Sequence, residues 1–106
     1  MDTKEFIHED IAALRNVAAS GDAKPLYVYD ELADDALVRH AAVAMREKLA
    51  LARSRGRGGW WNDKECTIDL LRRLLREHVE KGDMRDVMNL AAMVYVREIA
   101  DVPRKM

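Results

Sequence analysis

A chain of 106 residues sets the expectation of one domain, and its 49% hydrophobic content suits a globular core, not a disordered tail. A net charge of −1 argues against indiscriminate coating of nucleic acid, which needs many unopposed cations, and the single cysteine excludes an intramolecular disulfide or a cysteine zinc cluster. The charge is nonetheless divided: residues 1–35 carry nine acids and three bases, whereas residues 36–106 carry fifteen bases and ten acids.

Only two prolines and five glycines interrupt the sequence, so the pattern predicts an all-α protein, a small bundle of about four helices. Asp2 or Thr3 is a suitable cap for the first helix, and Ile7, Ile11, Leu14 and Ala18 recur at helical spacing as its apolar stripe. Gly21 supplies the stop, while His8 falls on the opposite side and reads as a solvated residue. Leu26-Tyr27-Val28-Tyr29 has strand propensity, but nothing obvious pairs with it. An extended linker is the expectation, and an edge that adds to a partner's sheet is the sharper alternative.

Asp34 or Asp35 is the expected cap of a longer second helix ending near Ser54, with Leu37, Ala41, Met45, Leu49 and Ala52 buried. Arg39, Arg46 and Arg53 recur every seven residues, sharing a face that is either solvated or a surface for phosphate or an acidic partner. His40 has no evident partner in the sequence.

The stretch Arg53-Ser-Arg-Gly-Arg-Gly-Gly-Trp60-Trp61 ends that helix, with Gly56 as its left-handed terminator. Arg53, Arg55 and Arg57 interleaved with glycine and followed by Trp60 and Trp61 form a candidate single-strand nucleic-acid site, with cations for phosphate and rings for stacking. The structural alternative is a sharp turn in which one tryptophan plugs the core. No Lys-Ser or Lys-Thr follows the glycines, so this is not a Walker loop.

Thr67 then caps a third helix whose apolar face is Ile68, Leu71, Leu74, Leu75 and Val79, with the charge pairs Asp69/Arg73, Arg73/Glu77 and Arg76/Glu80 outside. His78 borders the apolar face and is expected to bond to backbone. Gly82 closes this helix and Asp83 caps the next, giving a C-terminal antiparallel hairpin. From Val87 to Val96 nine of ten residues are apolar, which predicts burial on most sides and a homodimer contact through this helix. Asn89, the exception, then needs Asp86, a tryptophan N–H or its own mate across a dimer axis. Pro103 bars continuation.

No Ser-His-Asp or Cys-His arrangement is supported by spacing, so no catalytic residue is assigned and no cofactor is expected. The acidic N-terminus lacks an apolar leader and no run suffices to span a bilayer, so a cytoplasmic setting is expected. Glu77-x-x-Glu80 followed by Glu98-x-x-Asp101 resembles the magnesium motif of MazG-like all-α nucleotide pyrophosphohydrolases. The resemblance implies Mg²⁺ and a triphosphate held by these carboxylates; separately, Glu80, Asp83 and Asp86 cluster at the turn and, with Glu77, make the alternative metal set. Helical rise places the two carboxylate pairs about 22 Å apart in a simple hairpin.

A second resemblance covers about two-fifths of the chain. Gly56, Arg57, Gly58, Gly59, Trp60, Cys66, His78, Lys81, Gly82, Asp83, Asp86, Val87, Asn89, Ala92 and Met93 resemble a pattern of small bacteriophage and prophage proteins. It implies a phage accessory protein in the bacterial cytoplasm that binds a host or phage macromolecule. Inhibition of a bacterial defence complex by protein binding is one concrete form, with Arg39 and Arg46 as contact residues. Pyrophosphohydrolysis and single-strand binding are the alternatives.

Overall fold

A computed structural model of the chain describes residues 3–21 and 26–103, and 79% of the described residues are helical, with none in a strand. Four helices follow in order: α1 (Thr3–Ala19), α2 (Leu26–Ser54), α3 (Ile68–Lys81) and α4 (Met84–Ala100). The protein is all-α, as the helix periodicities require. It divides into two compact units, Met1–Val43 and Ala44–Met106, with the division falling inside α2. Asp2, the connection at 22–25 and the side chain of Thr3 lie outside the described residues.

In the first unit, Tyr27, Val28 and Tyr29 are not an extended linker but part of the opening turns of α2, which begins well before the expected cap at Asp34 or Asp35. Strand propensity is a weak preference, and here it yields to the half-burial of Val28 and Tyr29 on a helical face. Along α2, Ala41, Met45, Leu49 and Ala52 are half-buried as expected, but Leu37 is not on the buried face. Ala36 is 2% exposed, whereas Leu37 is 67% exposed. His40, one helical turn beyond Ala36, lies on the same face and is not partnerless: its Nε2 is 2.6 Å from Asp10 Oδ2 of α1. Arg39 reaches the same carboxylate at 3.8 Å and Asp35 at 3.3 Å. Ile11 and Leu14 of α1 are half-buried, while Ile7 and Ala18 are exposed.

The second unit contains the end of α2, a loop and the hairpin. α2 terminates as the glycine predicts. Gly56 has φ +73°, Arg57 N–H donates to Ala52 O at 2.9 Å and Gly56 N–H donates to Arg53 O at 3.0 Å. This is a Schellman ending, which satisfies carbonyls left over by the last helical turn. Thr67 Oγ1 accepts from Leu70 N–H at 3.1 Å and so starts α3. Gly82, at φ +82°, closes α3, and Asp83 Oδ1 accepts from Arg85 N–H at 3.1 Å to start α4. With so short a turn, α3 and α4 must pack antiparallel.

Leu71, Leu90 and Val94 form the core of this unit, and Trp60, Cys66, Leu74, Leu75 and Met93 pack against it. α4 is not buried all round, as its composition suggests. Asn89, Leu90, Val94 and Arg97 are its buried residues, while Ala91, Tyr95 and Val96 are exposed. The apolar run exceeds what one facing helix covers, so one side of α4 remains at the surface. No helix among the described residues is long and apolar enough to cross a membrane.

Candidate functional site: a cleft beside the arginine-rich loop

Three contacts fix the frame of the second unit. Asn89 Nδ2 donates to the Met45 carbonyl at 3.2 Å, and Lys48 Nζ lies 3.3 Å from Asp86 and 3.4 Å from Asp83. As α2 advances from Met45 to Lys48, its partners step back along α4, so this part of α2 runs antiparallel to α4. The third contact is made by Arg97, whose side chain is only 3% exposed. Its Nη1 donates to Trp60 O at 2.7 Å and Cys66 O at 2.8 Å, while Nε and Nη2 fork onto the Asp101 carboxylate. A planar guanidinium, with five donors in a fixed fork, serves two carbonyls while gripping a carboxylate with two nitrogens. The hydrogen bonds with Asp101 raise the pKa of Arg97 against the opposing effect of desolvation, so the charge is secure. Arg97 thus ties both flanks of the 60–66 segment to the last turn of α4. Inside the segment, Asn62 Oδ1 accepts from Lys64 N–H at 3.0 Å, and Cys66 N–H donates to Asn62 O at 2.8 Å.

A cleft of about 490 Å³ lies along this framework. Its walls include Leu70, Leu71, Leu74, Leu90, Met93 and Trp60, and its polar residues include Lys48, His78, Asp86 and Asn89. Arg53, Arg55, Arg57 and Trp61 also line it. Four cations and two carboxylates, Glu65 and Asp86, face this space, leaving a positive balance. The volume falls within the range of about 300–1,000 Å³ usual for small-ligand sites.

The predicted single-strand residues are therefore brought together: Arg53, Arg55, Arg57, Trp60 and Trp61 border one cleft. The two rings of the tryptophan pair are placed differently. Trp60 is half-buried against the core, whereas Trp61 is 67% exposed. Gly58 and Gly59 bring backbone to the same border. Gly59 needs its φ of +79°, and a Cβ there would come within 3.3 Å of Glu65 Oε2.

The other candidates are arranged differently. Arg39 belongs to the first unit and is engaged with Asp10 and Asp35; Arg46 is exposed in the second. The alternative metal carboxylates are committed elsewhere. Asp83 caps α4 and, with Asp86, faces Lys48, while Glu77 lies 3.8 Å from Arg73 and Glu80 is exposed. Among the described residues no group of three or more His, Cys, Asp or Glu side chains is placed to hold a metal ion. Of the more distant pair, Glu98 meets Arg72 at 3.2 Å and Asp101 meets Arg97.

Two expectations about polar partners are corrected. Asn89 Nδ2 donates to the Met45 carbonyl, a partner outside those expected, because α2 passes beside α4 at that point. His78 does not bond to backbone; its Nδ1 lies 3.5 Å from Asp86 Oδ2 without hydrogen-bond geometry. Arg97 and Lys48 carry the site's architecture yet gave no sequence signal beyond their charge. An arginine at the end of an otherwise apolar helical run was the one available clue.

No protein-family model matches this chain, and neither a curated protein nor a solved structure matches it.

Proposed function

We propose that this protein binds single-stranded nucleic acid in the cleft beside residues 53–61. The observation that carries the reading is the convergence of Arg53, Arg55 and Arg57 with the exposed ring of Trp61 on one concave, net-positive surface. Strand binding without a fixed sequence needs these two ingredients: cations that follow the backbone, and an aromatic face on which a base stacks. The cations come from the end of α2 and the loop, and both are held by ordered structure, the Schellman ending at Gly56 and the Arg97 clamp.

Nine of the fifteen residues that carry the resemblance to phage accessory proteins line the cleft, which supports the cleft as the working part of the molecule. Binding of a phage or host strand is then the form that macromolecular recognition takes here. Arg39 and Arg46 carry less of the argument, since Arg39 already has carboxylate neighbours.

The test is a titration of the intact protein with short single-stranded DNA and RNA at low salt, read by tryptophan emission. Quenching that is largely lost in Trp61→Phe and retained in Arg39→Gln is expected. A flat titration with both nucleic acids overturns the reading.

A further inference from the structure

The cleft holds more than a stacking platform requires. Asn89 is 6% exposed, and its Oδ1 is buried with no hydrogen-bond partner. Its amide orientation is settled, because only Nδ2 can donate to the Met45 carbonyl 3.2 Å away. The unfilled atom is therefore an acceptor. His78 Nδ1, on the facing helix, is likewise buried without a hydrogen bond. Both residues line the cleft, together with the Asp86 carboxylate and Lys48. Buried polar atoms in folded proteins are nearly always paired, so the unfilled Asn89 Oδ1, on a residue that lines an apolar cleft, points to a place where a ligand supplies the partner.

We propose that the cleft is a nucleobase pocket in which Asn89 Oδ1 accepts a hydrogen bond from the amino group of a base, with the attached phosphate at Arg53, Arg55 or Arg57. This rests on the nucleic-acid reading above and sharpens it to one recognised unit. Leu74, Leu90, Met93 and Trp60 cover the faces of the base, and the polar residues meet its edge. The edge chemistry sets a preference. Lys48 and Asp86 already pair with each other, so the unfilled acceptor at Asn89 Oδ1 selects for an exocyclic amino group, which guanine presents beside a second N–H donor. Adenine and cytosine each present one amino group. Uracil and thymine present an N–H flanked by carbonyls, which face the acceptors unfavourably.

The same base can arrive on a free nucleotide or within a strand, and the experiment separates the two. The intact protein is titrated with the 5′-monophosphates of guanosine, inosine, adenosine, cytidine and uridine, and with short homo-oligomers of the same bases, followed by tryptophan emission. Inosine lacks the guanine amino group and leaves the protein unaltered, so this comparison does not depend on any variant's folding. Guanosine is expected to bind about tenfold or more tightly than inosine or uridine, as loss of one buried hydrogen bond implies. Asn89→Leu, which fills the space without an acceptor, is expected to abolish that preference. Preference seen with mononucleotides supports the pocket with a free nucleotide as ligand; preference seen only in oligomers supports it with a strand as ligand. Oligomers that bind equally whatever their base, in the wild type as in Asn89→Leu, overturn the pocket and leave the strand-binding reading intact. Absence of any binding overturns both.

Discussion

Replacing Arg53, Arg55 and Arg57 together with glutamine tests the strand-binding proposal by a slope, which is more diagnostic than an affinity. Each cation seated on a single-strand phosphate contributes about −0.7 to the slope of log K against log salt. Three such cations contribute about −2.1, so raising salt fourfold weakens binding roughly 20-fold through these residues alone. Lys48 is left out of the count because Asp83 and Asp86 already lie within 3.4 Å of its ammonium. All three arginines are exposed, so their replacement is expected to alter stability by no more than about 0.5 kcal/mol. The assay is oligonucleotide titration at four or five salt concentrations, with circular dichroism confirming the helices. The triple variant should lose about two from the magnitude of the slope, and each single variant about 0.7. A triple variant that binds more weakly but keeps the wild-type slope refutes the reasoning, because the arginines would then act on shape and not on phosphate.

Leu71→Ala, at a site 2% exposed in the core of the second unit, should destabilise that unit by about 2–5 kcal/mol, read from the urea midpoint. A cost below about 1 kcal/mol would mean that α3 and α4 close over the space. The Asp83 carboxyl should give an acid-side signature. Desolvation pushes its pKa up, but the N–H of Asp86, the Lys48 ammonium and the N–H of Arg85 outweigh it and leave the group below its ordinary value of 3.8. A group whose pKa is depressed by folding stabilises fully above its unfolded value and loses that contribution as pH falls through the folded value. Wild type should therefore exceed Asp83→Asn in stability near neutrality, with the gap shrinking below about pH 4; a gap constant down to strong acid would contradict this. Arg97→Lys keeps the charge but cannot reach Asp101 and two carbonyls together. It should shift Trp60 emission to longer wavelength and speed trypsin cleavage in the 53–61 segment, and unchanged cleavage would show that the loop holds itself.

What could be read from the sequence was what local rules decide. Thr67, Gly82 and Asp83 mark helix ends through their own backbone and side-chain geometry, and Gly56 marks the end of α2, so these boundaries were legible. The start of α2 was not, since Val28 and Tyr29 take their state from burial that only the folded unit supplies. The same holds at the start of the α2 stripe, where Ala36 is buried and Leu37 exposed although both fit a helical spacing. At the cleft, composition pointed to the arginines and tryptophans. Its polar interior was illegible, because Lys48, His78, Asp86 and Asn89 meet across three helices and each has a plausible local role. Asn89 looked like a residue waiting for a partner, which was correct for its oxygen and wrong for its nitrogen.

The clamp at Arg97 also orders events in time. Its two carbonyl partners lie 37 and 31 residues earlier in the chain, so the loop is synthesised well before the residue that fastens it. Until α4 has formed to its last turn, the arginines of residues 53–57 sit on a segment whose far flank is unattached. On the strand-binding proposal, the cleft is finished only when α4 is. The nascent chain carries a basic segment but no complete cleft until the hairpin closes.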